Sequence, residues 1–291
     1  MATKARRTTA APRSRRRTGL LALTLLTAAL GGVRWWQTQG GVLQPAGRLS
    51  GDFHTPRVLP DSRLLSGQRA GVAVSSDGGR TWGLPSGTGD ATALASAARS
   101  PGPLVMAGRG VLKTSRDGGQ SWRDAGFGNL PGTDIHGFVT LPNRPDVWDA
   151  NLAGRGFYRT ENGRDWRFVS PATAGTMRLA AGPGAAPRLS ALSRGEGVIV
   201  SDGGAAWQRA GAAPRAAGSG LDVHPVSGNV ELAGPTGVAR SEDQGARGAD
   251  PGLPEGALLV DADPRDRVNL DAAGGSGTVN RSVDGGKTWS A

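Results

Sequence analysis

Ser75-Ser76-Asp77-Gly78-Gly79-Arg80-Thr81-Trp82 is a pattern that returns five more times along the chain. It recurs as Ser115-Arg116-Asp117-Gly118-Gly119-Gln120-Ser121-Trp122, as Arg159-Thr160-Glu161-Asn162-Gly163-Arg164-Asp165-Trp166, and as Val200-Ser201-Asp202-Gly203-Gly204-Ala205-Ala206-Trp207. A degenerate copy, Ser241-Glu242-Asp243-Gln244-Gly245-Ala246-Arg247-Gly248, precedes the last, Ser282-Val283-Asp284-Gly285-Gly286-Lys287-Thr288-Trp289. The acidic position falls at 77, 117, 161, 202, 243 and 284, so successive copies stand 40, 44, 41, 41 and 41 residues apart. A fixed period of that length marks a repeat architecture.

Each residue type in the pattern has a physical reason. A short acidic or hydroxyl side chain accepts hydrogen bonds from its own backbone and holds a loop, glycine takes positive φ, and tryptophan buries a large surface against a hairpin. Asp77, Asp117, Glu161, Asp202, Asp243 and Asp284 are therefore assigned to structure, with Trp82, Trp122, Trp166, Trp207 and Trp289. Five of the eight tryptophans are used in this way.

A second signature shares the period: an apolar strand, a glycine turn and another apolar strand upstream of each acidic position. The copies run from Leu64 to Val74, Val105 to Lys113, Leu152 to Tyr158, Leu192 to Ile199, Leu232 to Ala239 and Leu270 to Val279. With an inner strand before the hairpin and a fourth strand after the tryptophan, each repeat is a blade. Six blades make an all-β, six-bladed β-propeller of four-stranded blades. The 48 glycines and 19 prolines suit many short strands, and 291 residues leave room for one such domain and little else. The chain ends at Ser290-Ala291, so residues near 41–49, Gly41 to Leu49, are expected to supply the last blade's fourth strand and close the ring.

Residues 1–37 read as a separate unit ahead of a propeller over 38–291. Lys4, Arg6, Arg7, Arg13, Arg15, Arg16 and Arg17 precede an apolar run from Gly19 to Val33, the layout of an export signal. Two fates stand open for this short apolar helix. Ala29-Leu30-Gly31 suits cleavage of a signal peptide, whereas Trp35 and Trp36 suit interfacial anchoring of a retained segment over 18–36 in the cytoplasmic membrane. Ser14-Arg15-Arg16-Arg17 does not separate twin-arginine export from an ordinary basic leader. Either fate exports the rest to the cell envelope, periplasmic or extracellular. Seven of the 34 Lys and Arg lie in the tail, which leaves 27 against 24 acids, so the net charge of +10 is no argument for nucleic acid. The absence of cysteine excludes disulfides, thiolate zinc sites and thiol nucleophiles.

Ser-x-Asp-x-Gly-x-Thr-Trp resembles the Asp-box, or BNR repeat. Over residues 51–291 the chain is similar to sialidase-like and glycosyl-hydrolase-like BNR propellers, to sortilin-type ectodomains and to photosystem II assembly-factor propellers. The resemblance implies the propeller fold and places the repeated motif in a peripheral hairpin away from the ligand face. It implies no one activity, since one fold hosts enzymes and binders. Sialidases hold a substrate carboxylate with three arginines beside a Tyr-Glu nucleophile pair and an Asp acid/base. Here the one tyrosine, Tyr158, occupies a repeat position matched by Val74, Thr114 and Ile199 and reads as a blade residue. The family's Phe/Tyr-Arg-Ile-Pro motif is missing, and its nearest echo, Thr55-Pro56-Arg57-Val58-Leu59-Pro60, leaves Arg57 as a candidate triad member.

Glycoside hydrolysis needs a facing pair of carboxylates. Outside the turns, Asp52, Asp90 and Asp134 stand near the starts of inner strands, facing the channel or fixing the entering turn. None of Glu161, Glu196, Glu231, Glu242 and Glu255 pairs evidently with another. Asp52-Phe53-His54 and Asp134-Ile135-His136 form the most pointed constellation, because each His precedes a proline, Pro60 or Pro142, by six residues. They hold equivalent places in blades one and three, suited to acid and base work, with descent from one repeat as the alternative explanation. Two histidines are too few for a metal site, His224 before Pro225 is not equivalent, and no cofactor is expected. Ala107-Gly108-Arg109-Gly110 and Gly274-Gly275-Ser276-Gly277 recur in register with the hairpins and read as turns, since no helix follows them.

Two functions remain: a monomeric, non-catalytic binding or assembly scaffold for a protein or glycan at the channel face, and a divergent sialidase-like glycosyl hydrolase using Asp52, His54, Asp134 and His136. The scaffold is favoured. If residues 41–49 close the ring, deleting 38–50 lowers the melting temperature strongly; an unchanged midpoint counts against that closure.

Overall fold

Short runs of two to nine residues, bounded by glycine or polar turns, become 22 strands among the described residues. The computed structural model describes residues 52–96, 103–171, 175–211, 218–243, 245 and 256–291. The helix expected over 18–36, the closing segment expected over 41–49 and Glu255 lie outside the described residues.

The first blade comprises β1 (Phe53–Val58), β2 (Leu64–Gln68), β3 (Gly71–Ser75) and β4 (Ser86–Gly87). The second comprises β5 (Asp90–Ala95), β6 (Leu104–Arg109), β7 (Val111–Ser115) and β8 (Arg123–Asp124). The third has β9 (Ile135–Leu141), β10 (Arg144–Leu152), β11 (Gly156–Thr160) and β12 (Arg167–Ser170). In the fourth are β13 (Thr176–Ala181), β14 (Arg188–Ser193), β15 (Gly197–Asp202) and β16 (Gln208–Arg209). The fifth shows β17 (Gly220–Val223), β18 (Val230–Gly234) and β19 (Gly237–Ser241), and the sixth β20 (Ala257–Ala262), β21 (Leu270–Gly274) and β22 (Val279–Ser282). Every sheet is antiparallel in chain order, and the whole is a six-bladed β-propeller of four-stranded blades. In the sixth blade Ser290, one residue after Trp289, bridges Arg281, where the fourth strand begins in the second, third and fourth blades.

The repeated turn is held as its chemistry requires. Ser75 Oγ accepts from the Gly79 amide at 2.9 Å and donates to Asp77 Oδ1 at 2.8 Å, and Asp77 accepts from the Thr81 amide and hydroxyl at 2.8 and 2.6 Å. Gly78 and Gly79 sit at φ of 77° and 89°, which a side chain would resist. The same bonds recur around Asp117 and Asp284, and the Thr288 hydroxyl and amide hold the Asp284 carboxyl down at about 2. Trp82, Trp122, Trp207 and Trp289 each donate their indole N–H to the turn's second glycine carbonyl, at 3.0, 3.1, 3.1 and 2.8 Å.

Two turns depart from the expected assignment. In the third, Thr160 takes the place of Ser75, so the holding oxygen two residues on belongs to Asn162, which accepts from the Asp165 amide at 2.8 Å. Glu161, expected in that role, lies instead 3.4 Å from Arg144. In the fourth, Gly204 bonds the hydroxyl of Ser201 at 3.1 Å, and Asp202 faces Arg188 at 3.2 Å.

Apolar side chains fill the seams between blades. Ala93, Val105, Leu112, Ile135 and Trp148 pack the second against the third, and Val58, Leu64 and Ala73 meet Leu259 and Ala273 where the first blade abuts the sixth. That last seam also carries buried polar bonds. The Val58 amide donates to Asp261 Oδ2 at 2.6 Å, and Arg57 Nη1 donates to Asp261 Oδ1 at 3.0 Å. One seam earlier, Asp222 Oδ2 accepts from the Ala262 amide at 2.9 Å. Removing one partner of a buried ion pair strands the other, so Asp261→Ala is expected to cost about 3–5 kcal/mol in urea unfolding. A loss below about 1 kcal/mol, the net value of an ordinary hydrogen bond, contradicts a closing role for this pair.

Candidate functional site

All six inner strands begin on one face of the ring, the mouth. Five of them carry an extra residue just inside the start: His54, Thr92, His136, Met177 and Leu258 each fall between two residues that pair with consecutive positions on the next strand. A bulge of this kind re-aims its side chain and is often found beside binding sites. His54 and His136 thus occupy the same bulge position in the first and third blades.

The structure sets the two histidines at adjacent seams. His54 Nε2 lies 3.1 Å from Asp90 Oδ1 and 3.8 Å from Asp52 Oδ1, and Arg69 Nε donates to Asp52 at 3.0 Å. His136 Nε2 lies 3.4 Å from Asp134 Oδ1, which is 3.6 Å from Arg109 Nε. Among the described residues no side-chain ion pair or hydrogen bond links the two sets, although Asp90 and Arg109 are partners in the β5–β6 ladder, and no group of three His, Asp or Glu side chains is spaced to hold a metal ion. Arg57 points the other way, 3.0 Å from Asp261 and 3.9 Å from Asp222.

Below the mouth the channel is crossed by Arg178 of β13. Its guanidinium donates to the carbonyls of His54 and Thr92, the latter at 2.9 Å, and its Nε reaches Ser219 O at 3.4 Å, so the fourth blade is tied to the first, second and fifth. Part of its surface faces the channel, yet protein surrounds it, and that desolvation lowers its pKa to about 10; it is charged at neutral pH. The space left beside it, lined by Arg57, His136, Asp222 and Asp261 among others, is about 40 Å³. It holds a few waters at most.

Most of the buried acids lie in the fifth and sixth blades. Asp271 is clasped by Arg281 at 3.0 and 2.8 Å, and Asp263 by Arg265 at 2.7 Å. Glu231 is fully buried, with Arg240 Nε 3.4 Å away and no hydrogen bond to either carboxyl oxygen. Burial, which outweighs the pull of Arg240 and is aided by Asp222 and Glu242, pushes its pKa up to about 8.

The residues that sequence reasoning passed over are arginines on the turns between second and third strands. These turns read Arg69-Ala70, Arg109-Gly110, Ala153-Gly154-Arg155 and Arg194-Gly195-Glu196 in the first four blades, then Pro235-Thr236 and a Gly275-Ser276 turn in the last two. All four arginines are exposed at the mouth. Aligning the six hairpins would have revealed them. Three of them, with His136, Asn151 and Phe168, line a recess of about 660 Å³ over the third and fourth blades.

These features define a propeller whose open, concave surface is the mouth and whose repeated turns are structural. No protein family and no curated protein matches the chain. Solved structures do: YCF48 bound to a D1 peptide is 19% identical with a TM-score of 0.54, over 85% of this chain and 82% of that one. A glycoside hydrolase family 74 enzyme of Niastella koreensis is 18% identical at TM-score 0.58, with 84% of this chain matched to 37% of the enzyme. A gluconolactonase of Xanthomonas campestris is 16% identical at TM-score 0.60, over 80% and 86% of the two chains. In fold, the chain is a six-bladed propeller similar to these structures.

Glu231 gives this architecture a pH signature. An unfolded Glu releases its proton near pH 4.3 on average, whereas the folded site keeps it to about 8. Between those values the native state binds more protons, so the Glu231 contribution to stability falls as pH rises and is level above the window. Glu231→Gln is expected to remove that fall in urea midpoints measured from pH 5 to 9; identical slopes for variant and parent contradict it.

Proposed function

We propose that the chain is an exported or membrane-anchored propeller that serves as a non-catalytic binding or assembly scaffold, taking a protein or glycan ligand at its mouth. One observation carries this reading: the mouth and channel carboxylates other than Asp90 already face cationic or amide partners. Asp52 is bonded to Arg69, Asp134 lies near Arg109 and His136, Asp261 is bonded to Arg57 and Val58, and Asp222 to Ala262. A hydrolase needs two carboxyl groups free to reach a glycosidic oxygen and its carbon. The buried pair Asp222 and Asp261 borders a space of about 40 Å³, too small for a sugar ring. The recess above it is open and large enough for a side chain or small ligand. That a propeller of like fold, YCF48, carries a D1 peptide supports a protein ligand.

The second reading, a divergent glycosyl hydrolase, is favoured by His54 standing 3.1 Å from Asp90, an arrangement able to move a proton. Both readings rest on export through the basic and apolar segment ahead of residue 38. The exported domain, incubated with aryl glycosides that include a sialoside, is expected to release no phenol while one envelope protein is recovered by pull-down. Turnover that disappears in Asp134→Ala or His136→Ala overturns the scaffold.

A further inference from the structure

We propose that the narrow space on the axis of the ring, below the mouth, is a halide site, in which one chloride ion is held between the guanidinium groups of Arg57 and Arg178. The site stands apart from the mouth and from whatever ligand docks there.

Every inner strand lines the space, from Arg57 of β1 and Ala93 of β5 through Gly137 of β9 and Arg178 of β13 to Leu221 of β17 and Val260 of β20. At about 40 Å³ it has room for one chloride ion and little more, and too little for a sugar acid or a peptide end.

Arg178 supplies the charge. A guanidinium carries five N–H groups. Here three reach the carbonyls of His54, Thr92 and Ser219, and two are left without an acceptor among the described residues. Carbonyl dipoles satisfy hydrogen bonds but bring no counter-charge, and desolvation acts on this half-buried group with no described carboxylate to offset it.

Arg57 is an independent support. Its Nη1 is committed to Asp261 at 3.0 Å, whereas its Nε is buried with no hydrogen-bond partner. Leaving a buried charged donor unmatched is costly, and an acceptor placed on the axis removes that cost. Asp222 and Asp261 line the same space, but Asp261 already accepts from Arg57 and the Val58 amide, and Asp222 from the Ala262 amide.

The unmet demand is therefore for an acceptor. Among the described side chains lining the space, the buried atom without a partner is a donor, Arg57 Nε, so a metal cation finds no orphaned oxygen or nitrogen to bind. A water fits the volume but brings two donors of its own and no charge. A halide only accepts, and its charge answers Arg178. The two nearby carboxylates repel any anion, so affinity is expected in the millimolar range. Binding joins β1 to β13 across the axis and stabilises the closed ring.

Crystals of the parent protein soaked in sodium bromide are expected to show an anomalous peak on the axis, within hydrogen-bonding reach of Arg57 Nε and Arg178. In solution, the melting temperature of the full chain is expected to rise saturably with sodium chloride relative to sodium gluconate of equal ionic strength, an anion the space excludes. A hundredfold excess over Kd favours the folded state about a hundredfold, a rise of about 5 °C or more. Arg178→Met is expected to lose the chloride dependence, and Arg69→Ala, at the mouth, to keep it. Water alone on the axis with no anomalous peak there, equal melting in chloride and gluconate, or unchanged chloride dependence in Arg178→Met overturns the site. Should Arg178→Met fail to fold, the bromide peak in the parent decides.

Discussion

The amide of Val58 donates to the carboxylate of Asp261, and across that bond the first blade meets the sixth. The two residues are 203 positions apart, so nothing local in the chain brings them together. A single blade exposes apolar surface on both faces and gains stability only by stacking between two neighbours. Five seams join blades that follow one another in sequence. At the seam between the first and sixth blades, Arg57 and Val58 on one side bond Asp261 on the other, with Val58, Leu259 and Ala273 packed around them.

Closure decides what the middle of the ring can do. Arg178 reaches carbonyls in the first, second and fifth blades only because the inner strands stand at a fixed distance around the channel. Its half-buried guanidinium is held by those carbonyls below the mouth face. That face is also lopsided: the hairpins of the first four blades present arginines, while the fifth and sixth bury Glu231, Asp261, Asp263 and Asp271.

The fold was legible because each repeat writes its turn in residues whose conformational reasons are local. Ser75, Asp77, Gly79 and Trp82 bond to one another within eight residues, and the same short range made the strand hairpins readable. Local reading also erred locally: the acid of the third turn drew attention to Glu161, although Thr160 sets the register and an amide oxygen, that of Asn162, serves as well as a carboxylate. The equivalence of His54 and His136 was visible from their spacing to Pro60 and Pro142, and the structure gives it a cause in the shared bulge. The hydrogen bonds of Arg178 join residues 124, 86 and 41 positions apart, and no pattern along the chain announces them. The hairpin arginines lie between these cases, regular enough to read yet disguised as ordinary polar turns.

Native-state hydrogen exchange at the Val58 amide tests the closed ring most directly. If the seam between the first and sixth blades holds the molecule together, this amide exchanges only through global unfolding, with the same free energy as the Ala262 amide bonded to Asp222. Exchange of Val58 through a low-energy local opening, while Ala262 stays protected to the global limit, would show that the ring opens at this seam without unfolding and would contradict the account.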